Sequence, residues 1–302
     1  MIPVDIVIPT YNHAAFLREA VSSLVAQTYS EWRGIVVNNF STDETTKVLD
    51  EFADPRLSRI DFENRGVIGA ARNAGIAAGK SPFVAFLDSD DVWYPCKLAE
   101  SIDAFHDGVD VVCHAEKWIE TNGSTRIVKY GISGQDPYRS LLYRGNSLST
   151  SAVVMRRSLL ELLGGFDIDS SIVTAEDYDL WLRAARAGAG FRFLGTPYGE
   201  FRRRAGSESS KIGRNIDAER AVLEKHLEPP TTLLSRFRRR KRFALVDYGA
   251  GRAYQREGSI SKAALCFKSS LRRYPLRLRP YLALTFLTRD AMRNKKSRHS
   301  DV

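Results

Sequence analysis

Residues 83 to 87, Phe-Val-Ala-Phe-Leu, form an unbroken apolar run that ends at once in Asp88-Ser89-Asp90-Asp91. Five consecutive apolar residues bury both faces of a strand, and such a strand belongs inside a parallel sheet with helices on either side. The carboxylates then crowd at the strand's C-terminal end, the edge where open α/β sheets bind ligands. Like charges so placed repel one another unless a cation sits among them, and a hard divalent ion such as Mg2+ or Mn2+ suits oxygen ligands. A solvated acidic turn would account equally for an isolated Asp-x-Asp, so the rest of the chain decides.

Ahead of that run, strands and helices alternate. Residues 4 to 8 predict a first strand, and Pro9-Thr10-Tyr11-Asn12 the loop leaving it. Phe16, Leu17, Ala20, Val21, Leu24 and Val25 recur at helical spacing, with Asn12 or His13 placed to cap the helix. Residues 35 to 37 predict a second strand ending in Asn38-Asn39-Phe40-Ser41-Thr42-Asp43, residues 45 to 52 a helix, and residues 58 to 62 another strand. Asn64-Arg65-Gly66 leads into an Ala- and Gly-rich helix over 69–78, which carries Arg72 and Asn73 and has side chains small enough to pack closely on a sheet. This alternation marks a parallel α/β sheet.

Beyond Pro95 the pattern changes. Residues 109 to 115 and 126 to 130 predict strands with Asn122-Gly123 turning between them, residues 137 to 144 a short helix, and residues 151 to 155 a strand running into a helix ended by Gly164-Gly165. Leu180, Trp181, Ala184 and Ala185 share one helical face, which places Glu176 and Asp177 in that helix's first turn, where the helix dipole favours carboxylates. Residues 191 to 194 and 198 to 203 predict two strands, and 207 to 227 a helix. Pro229-Pro230 marks a boundary before a dense run, Arg236, Arg238, Arg239, Arg240, Lys241 and Arg242. Gly251, Tyr254, Ala263, Phe267 and Pro275 then match part of a tetratricopeptide pattern, a helical pair that cannot bury its own face alone.

Charge is divided along the chain. From residue 231 onward 19 Lys+Arg stand against 4 Asp+Glu, net +15, whereas residues 1–230 carry 26 against 32, net −6. A basic tail on an acidic body suggests an anionic partner, a membrane surface or nucleic acid. The absence of any apolar run near the ~18 residues of a membrane span, and of a basic, uninterrupted apolar leader, predicts neither a span nor a signal peptide. Cys96, Cys113 and Cys266 are too few and too scattered for a disulfide framework or a zinc site, which fits a cytoplasmic protein.

Taken together, Pro9-Thr10-Tyr11-Asn12, Asn38-Asn39 with Ser41-Thr42-Asp43, Asn64-Arg65-Gly66 through Ala71-Arg72-Asn73-Ala74-Gly75, Asp88-Ser89-Asp90-Asp91, and Glu176-Asp177 resemble, in order and spacing, the family 2 glycosyltransferases across residues 1 to about 205. The resemblance implies the GT-A fold, an α/β architecture with a mixed, mainly parallel sheet flanked by helices. Here it would occupy residues 1–228, with a donor-nucleotide half to about 105, an acceptor half over 106–205 and a closing helix over 206–228. Residues 229–302 would add a basic, all-helical extension. The resemblance further implies a nucleotide-diphospho-sugar donor, a UDP- or dTDP-sugar being favoured, a glycan or lipid-linked acceptor, Mg2+ or Mn2+ as metal, and inversion at the anomeric carbon.

Carried over residue by residue, it places Pro9, Thr10 and Tyr11 around the nucleoside and Asn38-Asn39 where the base is read. Arg72 would meet the base or diphosphate, Asp88 would lie near the ribose, Ser89 would belong to the donor-binding residues, and Asp88 and Asp90 would hold the metal. Asp177 would be the general base. Leaving as a nucleoside diphosphate develops negative charge that cations stabilise, and an acceptor hydroxyl needs a carboxylate to take its proton. Asp91, Trp93, His114 and Glu176 are candidates for the acceptor side, with Glu116 and Trp118 nearby; capping and core packing account for these residues as well.

Two stretches depart from the family pattern. Asn38-Asn39-Phe40-Ser41 stands where Asp-Asp-Gly-Ser is usual, and an Asn carbonyl still accepts a uracil or thymine N–H, without charge. Phe201-Arg202-Arg203-Arg204 stands where many members have a His; Arg204 either pairs with the diphosphate or belongs to an Arg-studded edge strand. The leading expectation is an inverting, metal-dependent transferase of surface polysaccharide synthesis, peripheral at the inner membrane face through residues 236–242. A GT-A scaffold without catalysis is the alternative. A nucleic-acid-binding protein is disfavoured by the acidic body and the lack of a recognised motif. Oligomeric state is not legible.

Overall fold

The structure, a computed structural model, describes residues 1–203 and 211–287. Arg204 and the residues through 210, which include the expected start of the helix over 207–227, lie outside the described residues. The chain divides into two compact units, Met1–Leu141 with Gly145–Ser210, and Leu142–Arg144 with Lys211–Val302.

The first unit begins with β1 (Val4–Thr10), α1 (Ala14–Val25), β2 (Trp32–Asn38), α2 (Thr45–Glu51), β3 (Leu57–Asp61), α3 (Ile68–Ala78) and β4 (Phe83–Phe86). All seven β1 residues and all four β4 residues are buried, so these strands run through the centre of the sheet, as an unbroken apolar run requires. The one charge inside β1, Asp5, is neutralised where it is buried: Arg157 Nη2 lies at 2.7 Å, and Ser81 donates from both N and Oγ at 2.7 Å. α1 is not capped by its own Asn12 or His13; Asp43 Oδ2 accepts from Ala14 N at 3.0 Å instead, and Asn12 turns into the left-handed region, φ 51°, to accept from Thr42 N.

The second half supplies β5 (Val92–Trp93), α4 (Lys97–Asp103), β6 (Val111–Ile119), β7 (Thr125–Val128), α5 (Pro137–Arg144), β8 (Val153–Arg156), α6 (Arg157–Leu163), α7 (Glu176–Arg186) and β9 (Phe191–Arg202). Strand order is β3-β2-β1-β4-β8-β6-β9-β5, with β7 folded onto β6 as a hairpin whose turn holds Gly123 at φ 79°. β1 to β4 run parallel, and β8 enters antiparallel between β4 and β6, so the sheet is mixed.

Two expectations are corrected. Residues 191–194 and 198–203 are one strand, β9, which stays paired with β6 across register shifts near Pro197; an irregularity absorbs the proline's missing donor without ending the strand. Thr150–Ala152 form a 3-10 turn rather than the start of β8, which begins at Val153.

The second unit contains α8 (Ile212–His226), α9 (Leu233–Arg256) and α10 (Ile260–Arg273), and helix continues over 278–287. Contacts group α8 with these helices, whereas the expected break lies at Pro229-Pro230. Thr232 and Ser235 form a reciprocal capping box that starts α9. Ala263, Phe267, Ala283 and Leu287 make a small core against Tyr248 and Tyr254. The Arg236–Arg242 run is not a uniform solvent face. Arg239 and Arg242, three residues apart and hence on one side of α9, turn inward: Arg242 is buried and pairs with Glu219 at 2.6 Å, and Arg239 pairs with Glu224.

The small residues of α3 do what their size predicts. A Cβ built on Gly75 would stand 2.4 Å from Val7 Cγ1 and 3.1 Å from Val37 Cγ2, directly over β1 and β2. Gly75→Ala should therefore overpack this seam and destabilise the fold by about 1–3 kcal/mol in urea unfolding; an unchanged midpoint would show that α3 rides farther from the sheet.

Candidate active site

The order of β2, β1 and β4 makes the gap between β1 and β4 the switch point of the parallel sheet, where connections leave in opposite directions. Three of the predicted motifs end there. Pro9 and Thr10 are the last residues of β1, Asn38 is the last of β2, and Asp88-Ser89 follow β4. The two loops are joined across the gap by a hydrogen bond between His13 Nδ1 and Ser89 Oγ, 2.8 Å. Tyr11 and Phe40 are left exposed, Phe40 at φ 53°, where the usual Gly would sit without strain.

Asn38 is engaged within the protein at both ends of its amide. Its Nδ2 donates to Asp61 Oδ1 at 2.7 Å and its Oδ1 accepts from Ser41 N at 3.1 Å. Asn39 Oδ1 accepts from Asn64 N, which ties the second loop to the Asn64-Arg65-Gly66 turn ahead of α3. The two amides thus hold the loop in place: Asn38 closes its own turn and joins the end of β3, and Asn39 joins the loop to the turn ahead of α3.

Arg72 joins the two halves of the site. Its guanidinium, 3% exposed, donates from Nη2 to Asp88 Oδ1 at 2.8 Å and from Nη1 to Glu176 Oε1 at 2.6 Å, over the Phe166 ring at 5.3 Å. Burial opposes its charge, but Asp88 and Glu176 more than offset this and hold it firmly cationic. Asn73 next to it grips Phe166 twice, Nδ2 to O and Oδ1 from N, both at 2.8 Å. Gly165 precedes that grip because a Cβ there would meet Asn73 Oδ1 at 2.5 Å. Two adjacent residues of α3 therefore set the path of the chain into α7.

Glu176, expected as an acceptor-side candidate, is instead buried in this ion pair, and its Oε2 accepts from Thr174 N at 2.8 Å, where Thr174 holds φ 88°. A β-branched residue rarely adopts that conformation, so the entry to α7 is strained and held by the carboxylate. Asp177 is half-buried beside it. Its Oδ1 accepts from Tyr178 N at 2.6 Å, and Oδ2 lies 3.2 Å from Asn146 Nδ2 and 3.3 Å from Thr150 Oγ1. Burial first and Glu176 second push its pKa up to about 6, against the opposing pull of Arg72. Glu176 takes the guanidinium, and Asp177 keeps its basicity.

The other acceptor-side candidates turn inward. Asp91 is buried, accepts from Ser151 Oγ at 2.6 Å, and is pushed well up by burial together with Asp90, Glu116 and Asp88. Trp93 is a core residue whose Nε1 donates to Ser151 O at 2.8 Å. His114 is fully buried and held neutral, its pKa pushed down to about 3 by burial and Lys97. Glu116, also buried, is pushed up to about 7 by burial while accepting from Tyr130 OH at 2.5 Å.

Sequence reading passed over the turn that ties these acids together. Three consecutive hydroxyls reach three different carboxyls: Ser149 Oγ to Glu116 at 3.1 Å, Thr150 Oγ1 to Asp177, and Ser151 Oγ to Asp91. Ser151 Oγ also accepts from Asp88 N at 3.1 Å. The cluster Asn146 through Ser151 is rich in small polar residues, but nothing in its spacing points to partners found 27 to 63 residues away.

The donor set fits a hard divalent ion only in part by itself. Asp88 and Asp90 are half-buried at the strand end, and Asp88 has one oxygen engaged by Arg72. Among the described residues no group of three or more His, Cys, Asp or Glu is placed to hold a metal alone. Asp88 and Asp90 could hold such an ion only with further oxygens, of the kind a diphosphate supplies.

The sequence profile of Glycosyl transferase family 2 matches residues 5–164. The chain is 34% identical over 193 residues to an uncharacterized glycosyltransferase of Rickettsia prowazekii, a match covering 62% of this chain and 59% of that protein. It is 28% identical over 226 residues, 73% of this chain and 85% of the other, to the UDP-Glc:alpha-D-GlcNAc-diphosphoundecaprenol beta-1,3-glucosyltransferase WfaP of Escherichia coli. Matches to the first relatives, the Rickettsia protein and one from Nostoc, span only 59% and 54% of their lengths.

Among solved structures, Staphylococcus aureus TarS in complex with UDP-GlcNAc superposes with a TM-score of 0.61 at 20% identity, over 93% of this chain and 84% of that one. The Pyrobaculum calidifontis mannosyltransferase PcManGT, in complex with GDP-Man and Mn2+, gives 0.60 at 18% identity, over 95% and 84%. The sheet order and these neighbours show the GT-A fold. With more than half its length matched by the profile, the chain belongs to glycosyl transferase family 2.

Proposed function

We propose that this protein is an inverting glycosyltransferase that moves a sugar from a nucleotide-diphospho-sugar, UDP- or dTDP-linked, to a lipid-linked glycan acceptor in surface polysaccharide synthesis, acting peripherally at the inner membrane face. One observation carries the reading: Asp177, with its pKa raised to about 6, sits one residue from a buried Glu176–Arg72–Asp88 chain that ends at the sheet's switch point. A carboxylate that is mostly ionised at neutral pH yet more basic than an exposed one suits removal of a hydroxyl proton. WfaP and WfgD, both of Escherichia coli, are named for transfer to a diphosphoundecaprenol-linked acceptor, which supports the acceptor class.

In this reading Tyr11 and Phe40 flank the nucleoside at the donor edge, and Asp88 and Asp90 would hold Mg2+ or Mn2+, which when bound supplies positive charge to the diphosphate. Arg72 acts by orienting Asp88 and the start of α7, each of its two terminal nitrogens being engaged by a carboxylate. Asp177 Oδ2, steadied by Asn146 and Thr150, takes the acceptor proton as the hydroxyl attacks. A silent GT-A binding protein is the second reading, favoured by the inward-turned Asn38.

Calorimetric titration of UDP, dTDP, GDP and CDP with and without Mn2+ separates the two. Metal-dependent binding of one of them, lost in Asp90→Asn, is expected; no binding to folded protein would favour the silent reading. Asp177→Asn should abolish transfer while leaving that nucleotide binding intact. It should also stabilise: a carboxyl whose folded pKa lies above its unfolded value favours folding only while protonated, and this contribution fades as pH rises through about 6. At pH 7.5 the variant should thus exceed wild type by ~1–3 kcal/mol, and the gap should close toward pH 4; near-normal transfer by this variant would remove Asp177 as base. The acidic limb of the transfer rate should fall near pH 6, and Asn146→Ala, which withdraws a hydrogen bond from the Asp177 carboxylate, should move it upward. A limb that does not move would assign it to another group.

A further inference from the structure

Within the second unit, α8, α9 and α10 converge on a cleft of about 240 Å³ lined by Arg220, Glu224, Arg239, Arg240, Phe243 and Arg273. Four guanidiniums around so small a volume repel one another, so what holds them there is informative. Beneath the cleft lies Asp247, a buried carboxylate that accepts from Arg220 Nη2 at 2.5 Å, Arg273 Nε at 2.9 Å and Ser269 Oγ at 2.7 Å. Arg239 is fixed by Glu224 and by Leu227 O at 2.9 Å. Phe243 supports the guanidiniums of Arg239 at 5.4 Å and Arg273 at 5.6 Å from its ring.

Three of the four arginines are therefore anchored from below or from the side, and the fourth, Arg240, is exposed and makes no ion pair among the described residues. Two carboxylates, Glu224 and Asp247, face four cations; Asp217 approaches Arg220 at 3.5 Å only from an exposed position. Arg220 Nε is buried and without a hydrogen-bond partner. Pre-positioned forks with uncompensated charge match tetrahedral oxyanions, which accept several N–H bonds at once.

We propose that this cleft binds a phosphate group, carried in the cell by a lipid-linked diphosphate. The choice of that carrier rests on the functional reading above; the anion site itself does not. It would place a phosphate-recognising element outside the nucleotide-binding sheet and give the basic extension a specific ligand rather than only a diffuse charge.

The test is titration of the full chain with inorganic pyrophosphate in EDTA, which removes metal-dependent binding at Asp88 and Asp90. Saturable binding is expected, weakened about tenfold or more by Arg240→Glu, while Mn2+-dependent nucleotide binding and the circular dichroism spectrum stay as in wild type. A parallel sedimentation with phosphatidylglycerol vesicles and with neutral phosphatidylcholine vesicles identifies the source. Release from the anionic vesicles by pyrophosphate means that the cleft takes phosphates at a membrane surface, and pyrophosphate binding without sedimentation means that it takes diphosphate groups themselves. No saturable pyrophosphate binding, or equal binding by Arg240→Glu, overturns the site. Sugar transfer by a protein that binds no pyrophosphate would overturn this proposal alone, and pyrophosphate binding without any nucleotide binding would overturn only the transferase reading.

Discussion

A single buried guanidinium organises the first unit. Arg72 is removed from water, and a cation so placed is tolerable only where carboxylates replace its hydration. Asp88 and Glu176, 16 and 104 residues away in the chain, do so at 2.8 and 2.6 Å. Removing the guanidinium would leave the buried Glu176 carboxylate without its counter-ion, a loss on the order of 3–5 kcal/mol. The pair therefore forces the end of β4 and the start of α7 into one site, and the Asn73 grip on Phe166 and the glycines of α3 serve the same closeness.

That arrangement also sets the chemistry open to Asp177. Were the guanidinium shared with Asp177, the carboxylate would be held strongly acidic and poorly basic. With Glu176 taking it, Asp177 feels burial and a neighbouring negative charge first, and Arg72 only after them. An acidic dipeptide at a helix start thus splits into two roles by environment alone, one residue pairing and one basic, although the helix dipole acts on both.

The fold was legible because it rests on local pattern. The Phe83–Leu87 run and the small residues of α3 appear in the structure within a residue or two, whereas β2 starts three residues before the expected 35 and β6 runs four residues past the expected 115. Errors fell where the local signal was weak or misleading: Pro197 reads as a break but sits in a bulge of β9, and the capping of α1 comes from Asp43, a partner 29 residues on. In the site, residue types were readable but side-chain directions were not. Asp91, Trp93 and His114 look available in sequence and are buried in fact, while Ser149, Thr150 and Ser151, unremarkable in sequence, each meet a different carboxyl.

Sequence alone determined the strand and helix alternation, the family, and which acidic and basic side chains gather at the ends of strands, because each of these depends on neighbours within a few residues or on motifs kept in order. Tertiary structure alone decided how those charges pair. Arg72 could have faced a ligand and faces two acids; Asn38 could have read a base and closes a turn; the cationic run of α9 could have been a uniform surface and turns two of its arginines inward. Charge pairing and burial depend on distances between segments far apart in the chain, and those distances exist only once the sheet and helices have packed.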